Sequence, residues 1–218
     1  YSKKNMDFKM NDLNQLIIKF DHEQNFKDDD FYVSKSNKHI YSLINKWPKW
    51  EKNFINISGE KFSGKSHLVN IFLRKFKGLK LNSRHLKNDD LKQVKLFENI
   101  VLEDFTNNID ENLIYTLFNI IDQDNKFIIV TSLKSIVDID LSLNDLKSRT
   151  KNFLLQSIKK PDDELVFALI LKNLSDRQIF LEKKLIDFIM KRIDRSYGKI
   201  FDFIYKIDEI SLKKKKSI

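Results

Sequence analysis

Apolar positions along this chain fall into two regimes that change at Pro161. Upstream, short apolar runs at 54–58, 79–81, 99–102, 127–131 and 153–156 have the length and branched content of buried strands. Between them, apolar residues recur at helical spacing at 66–73, 88–97, 111–122 and 143–148. Downstream, 162–174, 181–192 and 197–212 all read as helices with no strand signal between them. Strands alternating with helices predict an α/β fold, a parallel sheet covered on both faces, and the helical run behind it predicts a small all-helical lid. Pro48, in Trp47-Pro48-Lys49-Trp50, closes a helix at 39–46 ahead of the first sheet strand. The expected division is an N-terminal segment (1–25), an α/β domain (26–159) and the helical lid (160–218), without internal repeats or a Gly/Ser linker.

The chemistry announces itself where the first strand meets the first long helix. Of only four glycines in the chain, two lie five residues apart in Gly59-Glu60-Lys61-Phe62-Ser63-Gly64-Lys65-Ser66, a complete G-x-x-x-x-G-K-S loop. Such a loop lets backbone N–H groups converge on the α- and β-phosphates of a nucleotide. Lys65 reaches the β/γ oxygens, and the Ser66 hydroxyl can ligate Mg²⁺. The following helix adds the positive end of its dipole. A chance match on a surface turn would not bring strand, loop and helix in the required order.

A second strand completes such a site. Asn99-Ile100-Val101-Leu102 runs into Glu103-Asp104, and ligands of a parallel sheet sit at the carboxyl ends of its strands. One of these two carboxylates is expected to hold Mg²⁺ through water and the other to orient an attacking water. A third buried strand ends in Thr131-Ser132, placing one hydroxyl or the other near the γ-phosphate region. Arg149 ends the short helix of Asp145-Leu146-Lys147-Ser148-Arg149, and Arg195 sits at a junction between lid helices. Guanidinium suits bidentate contact with phosphate, although an isolated arginine more commonly makes a surface ion pair.

Composition narrows the alternatives. The 218 residues contain no cysteine, which removes disulfides and thiolate metal sites and fits a reducing, cytoplasmic setting. No apolar run approaches the roughly 20 residues that span a bilayer. A formal charge of +9, from 40 Lys+Arg against 31 Asp+Glu, invites a nucleic-acid reading. However, the lysines are scattered among acids throughout a chain with a single alanine, which resembles compositional bias rather than one basic patch. The exception is Lys213-Lys214-Lys215-Lys216, which reads as a solvated tail. His22, His39, His67 and His85 lack ligand-like partners.

Taken in order, these segments resemble the AAA+ ATPases of the DnaA type, and the resemblance spans nearly the whole chain. Phe31-Tyr32-Val33-Ser34-Lys35-Ser36-Asn37 is similar to the family's opening segment near the adenine. Residues 59–66 with His67-Leu68 resemble its Walker A, 100–104 its Walker B, and Thr131-Ser132 its sensor 1. The resemblance implies an ADP or ATP ligand with Mg²⁺ held at Ser66 and Glu103, and contacts from Gly59, Ser63, Gly64, Lys65 and His67. It makes Glu103, Asp104 and Thr131 catalytic candidates. Arg149 becomes an arginine finger acting in trans, on DnaA or on another copy of this chain in a homo-oligomer, and Arg195 becomes the sensor 2 arginine. Two features resemble the family's shorter, regulatory members, which act in regulatory inactivation of the initiator. No helix-turn-helix module follows Ile210, so sequence-specific DNA binding is not expected. Asn14-Gln15-Leu16-Ile17-Ile18-Lys19-Phe20 resembles the peptide that docks such regulators on the DNA polymerase III sliding clamp, with Gln15 fixing register and Leu16 with Ile18 or Phe20 filling an apolar pocket. As a plain sequence, the same run also suits a strand.

The chain departs from the family at Glu103, where the DnaA Walker B normally places aspartate. The resemblance then implies weak intrinsic turnover and a stable ADP-bound state. Other classes stay open at this level: a helicase loader or remodelling ATPase of the same superfamily, a P-loop kinase or transferase, and a clamp adaptor with a vestigial nucleotide site.

Overall fold

A computed structural model of the chain describes residues 26–27, 31–177, 179 and 181–214. The segment 14–20, expected to dock on a sliding clamp, lies outside these residues, as does the end of the lysine run. A two-stranded antiparallel ribbon, β1 (Phe26–Lys27) with β2 (Phe31–Tyr32), opens the described chain and leads to α1 (Lys38–Ile44). The sheet then alternates with helices: β3 (Phe54–Ser58), α2 (Lys65–Phe76), β4 (Leu79–Asn82), α3 (Asn88–Val94), β5 (Asn99–Phe105), α4 (Glu111–Gln123), β6 (Phe127–Ser132), α5 (Asn144–Thr150) and β7 (Leu154–Ser157). All five strands run parallel in the spatial order β4-β5-β6-β3-β7. Three helices follow, α6 (Asp163–Asp176), α7 (Lys183–Met190) and α8 (Tyr197–Lys214).

The sheet is covered on both faces, as near-continuous apolar strands require. Period-2 alternation assigns the side chains. On one face Ile100, Leu102, Ile128 and Val130 pack with Ile114, Leu117, Phe118 and Ile121 of α4 and Leu146 of α5. On the other, Ile55, Ile57, Val101 and Ile129 pack with Leu68, Val69, Ile71 and Phe72 of α2 and with Ile40 and Ile44 of α1. The lid encloses its own core, including Val166, Ile170, Leu174, Ile200 and Ile204, and reaches the α2-side core through Leu165 and Tyr197.

Observed elements follow the expected ones with shifted ends. The stretch 88–97 is helical only to Val94, because Leu96 N–H and Phe97 N–H bond three residues back in turns, to Gln93 O and Val94 O, and Leu96 stays exposed. The strand expected at 99–102 continues through both acids to Phe105. Its ladder with β6 shifts register between Leu102 and Phe105, and Asp104 adopts a left-handed backbone (φ +60°) within that irregularity.

Candidate phosphate-binding site

The loop at 59–64 joins the carboxyl end of β3 to α2. Gly64 is the N-cap of α2 and has φ +91°, a left-handed conformation that glycine adopts freely. A Cβ there would also stand 3.1 Å from Cε2 of Phe31. Gly59 answers to space instead, since a Cβ would meet Ser63 Oγ at 2.8 Å and Ile158 Cβ at 3.2 Å. The capping pattern of the long helices is informative. Asp110 and Asp162 cap α4 and α6 by accepting from Leu113 N–H and Leu165 N–H, whereas α2 has no side-chain cap and no acid in its first turn. A 12-residue helix left uncapped at a glycine presents its N–H groups and positive dipole end to an anion.

Lys65 lies half-buried in this loop and donates to Gly59 O and Glu60 O, both at 2.7 Å. Burial lowers the pKa of its ammonium, and the carboxylates of Asp104, Glu103 and Glu60, in that order, oppose the shift. The acids at the end of β5 are thus felt at the loop lysine. Ser63 Oγ is buried without a hydrogen-bond partner in the structure, and Ser66 is exposed at the start of α2.

The insertion of β6 between β3 and β5 sets Thr131 between the loop strand and the acid strand. Alternation separates the two hydroxyls that the sequence left open. Thr131 follows the Ile129 face, shared with α2, while Ser132 follows the Val130 face. Thr131 Oγ1 accepts from Asp104 N–H (3.3 Å), and Ser132 Oγ donates to Lys134 O (2.6 Å). Glu103 shares the α2 face with Val101. Its Oε2 pairs with Lys80 Nζ at 2.7 Å, and its Oε1 is buried with no hydrogen-bond partner. Asp104 Oδ2 accepts from Asn82 Nδ2 (2.8 Å), and Asp104 O accepts from Ser83 Oγ (2.7 Å).

Among the described residues no cluster of three or more His, Cys, Asp or Glu is present. Mg²⁺ bound with nucleotide phosphates would find residues that fit it here: Glu103 Oε1 is a buried acceptor lacking a donor, and Ser66 is an exposed hydroxyl in the first turn of α2.

Two further contacts bind the loop to the lid. Glu60 Oε2 accepts from Ser196 Oγ (3.0 Å) and from Tyr197 N–H (3.1 Å) at the start of α8. Phe62 has φ +67° and stacks on Phe201 with ring centroids 5.0 Å apart. Arg195 immediately precedes this junction, but its guanidinium is held by Asp163 Oδ1 (2.7 Å) and by the carbonyls of Ile193 and Met190. Arg149 sits on the opposite face of the sheet from α2. It bonds Asp122 Oδ2 (2.7 Å) and Asn119 Oδ1 (2.6 Å) of α4, and lines a cleft with Tyr115, Asp145, Ser148 and Asn152. Phe31 packs edge-on to His67 (5.3 Å), which puts the opening segment against the loop helix, and Ser36 N–H donates to Asp162 at the lid base (3.1 Å).

Sequence reasoning missed Asn56. It is fully buried at the centre of β3, where Nδ2 donates to Val130 O (3.1 Å) and Ser132 Oγ (2.9 Å) and Oδ1 accepts from Ile136 N–H (3.0 Å). An amide in the middle of Phe-Ile-Asn-Ile-Ser was the available signal. Ser132 O in turn accepts from Gly59 N–H (3.2 Å), so this amide braces the strand end on which the loop rests.

The glycine loop after β3, the strand inserted between β3 and the acid strand, and the three helices behind the sheet give the chain the α/β fold of AAA+ domains. More particularly, the chain is similar to domain III of the replication initiation protein DnaA from Thermotoga maritima, at 16% identity and TM-score 0.67 over 90% of this chain and 92% of that one. It is similar also to AMPPCP-bound DnaA from Aquifex aeolicus (19% identity, TM-score 0.66), covering 87% of this chain and 66% of that chain. The RuvB Holliday junction branch migration motor of Thermotoga maritima shares the fold at 14% identity and TM-score 0.61, over 85% of this chain and 65% of that one. No family model and no curated protein sequence matches the chain. No helix among the described residues is long and apolar enough to cross a membrane.

Proposed function

We propose that the chain is a DnaA-type AAA+ regulator of replication initiation, of the kind represented by Hda, which binds ADP or ATP and promotes ATP hydrolysis on the initiator DnaA. The observation that carries this reading is the division of labour across the sheet. The phosphate loop, Lys65, Glu103, Asp104 and Thr131 gather on the α2 side, while Arg149 stands on the other face with α4. An arginine on that face supports a role at a neighbouring molecule's nucleotide rather than at its own.

In this reading Gly59, Ser63, Gly64, Lys65, Ser66 and His67 cradle the phosphates, and Arg195 exchanges Asp163 for nucleotide when the lid engages it. Ser66 and Glu103 hold Mg²⁺, which supplies charge compensation for the phosphates when bound. Gln15, Leu16, Ile18 and Phe20 dock on the sliding clamp, bringing Arg149 to DnaA on replicated DNA. The guanidinium stabilises charge developing on the phosphoryl group in the partner, an effect worth about 10³–10⁵ in rate for trans-acting fingers.

The test is Arg149→Ala assayed with DnaA, ATP and a DNA-loaded clamp. Stimulated hydrolysis is expected to fall by about 10³ while ADP binding persists. Full stimulation by the variant refutes the reading. The likeness to RuvB favours a second one, a DNA-remodelling ATPase. Sustained phosphate release by the purified chain with DNA alone would establish that reading in its place.

A further inference from the structure

No motif singles out Lys80. It lies on β4, paired in register with Val101 of β5, and its side chain falls on the α2 face of the sheet. There its ammonium is held from two sides, by Glu103 Oε2 at 2.7 Å and by Asn70 Oδ1 of α2 at 2.9 Å. Glu103 is the end-of-strand acid that the phosphate site requires, and its side chain is only 12% exposed. A carboxylate so withdrawn from water needs a cation. In the usual arrangement that cation arrives with the nucleotide; here the chain carries one.

We propose that Lys80 is a built-in counter-cation for Glu103, so that this site binds a nucleoside diphosphate with an affinity nearly independent of Mg²⁺. The inference rests on the nucleotide reading above and deepens it. Around the loop lie Lys65 and Lys61, the carboxylates of Asp104 and Glu60, and the Glu103–Lys80 pair, with the Glu60 carboxylate also holding the lid. Left unpaired, Glu103 would repel incoming phosphates, and a divalent ion would relieve that repulsion. Lys80 relieves it beforehand, leaving Mg²⁺ little to add. The orphaned Oε1 still accepts from an ion-bound water, so the metal is accommodated without being required. Asn70 matters because it anchors the ammonium to the loop helix itself and keeps the pair on the phosphate side of β5.

The experiment is calorimetric titration of ADP into the full chain, with excess Mg²⁺ and with EDTA, for the wild type, Lys80→Met, Lys80→Arg and the double variant Lys80→Met/Glu103→Gln. The ratio of the two dissociation constants is the readout, and circular dichroism melting verifies folding. The wild-type ratio is expected to stay within about threefold, and Lys80→Met to raise it beyond about tenfold by exposing an uncompensated carboxylate. Lys80→Arg should keep the wild-type ratio, and the double variant should return towards it, because a neutral amide in place of the Glu103 carboxylate asks for no cation. A wild-type ratio beyond about tenfold overturns the inference even if Lys80→Met fails to fold, and so does a Lys80→Met ratio equal to the wild type. Absence of ADP binding by the wild type in either buffer overturns the nucleotide reading itself. Binding that is present but insensitive to Lys80 overturns this inference alone.

Discussion

Replacing Asn56 by alanine tests whether a buried amide braces the phosphate loop. The change removes both donors that Asn56 offers to Val130 O and Ser132 Oγ and the acceptor that receives Ile136 N–H. Ser132 keeps its own donation to Lys134 O, so its hydroxyl is only partly deprived. Ile136 is fully buried, and its N–H has no water to turn to. An orphaned buried donor costs about 1–3 kcal/mol, and the lost acceptor pairing and small void bring the expected destabilisation to about 3 kcal/mol. Against a domain stability of about 5–15 kcal/mol that is a large fraction. Urea denaturation should show the midpoint falling by about 1–2 M with an unchanged slope. Asn56→Asp supplies the second arm: it preserves shape and the acceptor for Ile136 but turns a donor into an acceptor facing Val130 O. Burial then favours the protonated acid, the folded state binds more protons than the unfolded one, and stability declines as pH rises above about 4. Loss of less than about 1 kcal/mol in Asn56→Ala, together with a flat pH profile for Asn56→Asp, would refute the bracing argument.

Gly64→Ala should cost about 1–3 kcal/mol, because φ +91° strains any L side chain and its Cβ crowds Phe31, and should abolish thermal stabilisation by ADP; a variant melting and responding like the wild type contradicts this. Burial, foremost, pushes the Tyr197 phenol up to about 12, opposed by a hydrogen bond with Ser36 and reinforced by Asp162 and Glu60. Its folded pKa lies above the unfolded value, so its contribution is complete below about pH 10 and disappears as pH rises towards 12; the stability gap between wild type and Tyr197→Phe should therefore close over that window in denaturation curves. Glu60→Ala removes the acceptor for Ser196 Oγ and Tyr197 N–H, so the Tyr197 amide should exchange hydrogen faster by about tenfold, while amides of β5 keep their wild-type rates.

Much of the architecture was legible because the sheet is buried on both faces, so its strands are apolar runs and its helices amphipathic intervals. The glycine spacing located the loop for a physical reason that the structure divides in two: Gly64 needs its backbone angle, Gly59 needs its space. The acid strand was legible by its apolar run, but its continuation to Phe105 was not, since the irregularity at Asp104 depends on Asn82 and Ser83 at the end of β4 and on Thr131 of β6, which lie 21 to 27 residues away in sequence. The choice between Thr131 and Ser132 likewise required knowing which face α2 covers. Lys80 was illegible for the same reason, because a lysine on a short strand acquires meaning only when register sets it beside Glu103.

Loop and lid in this molecule are joined through two loop side chains. Phe62 occupies a left-handed backbone position that costs a non-glycine residue about 1–2 kcal/mol, and it is half-exposed, so burial alone does not hold it there. Its ring is held between Phe201 of α8 on one hand and the Lys61 ammonium, 5.0 Å from its centroid, on the other. Two residues earlier Glu60 supplies the first turn of the same helix with an acceptor. A change in loop conformation that releases Phe62 from its strained angle must break the stack on Phe201, and one that turns Glu60 towards the loop interior must uncap α8. The lid's orientation is thereby tied to the geometry of the loop from its second and fourth positions. Lys65 shares the Glu60 backbone in this arrangement, since its ammonium is held by Gly59 O and Glu60 O while the Glu60 carboxylate holds Ser196 and Tyr197.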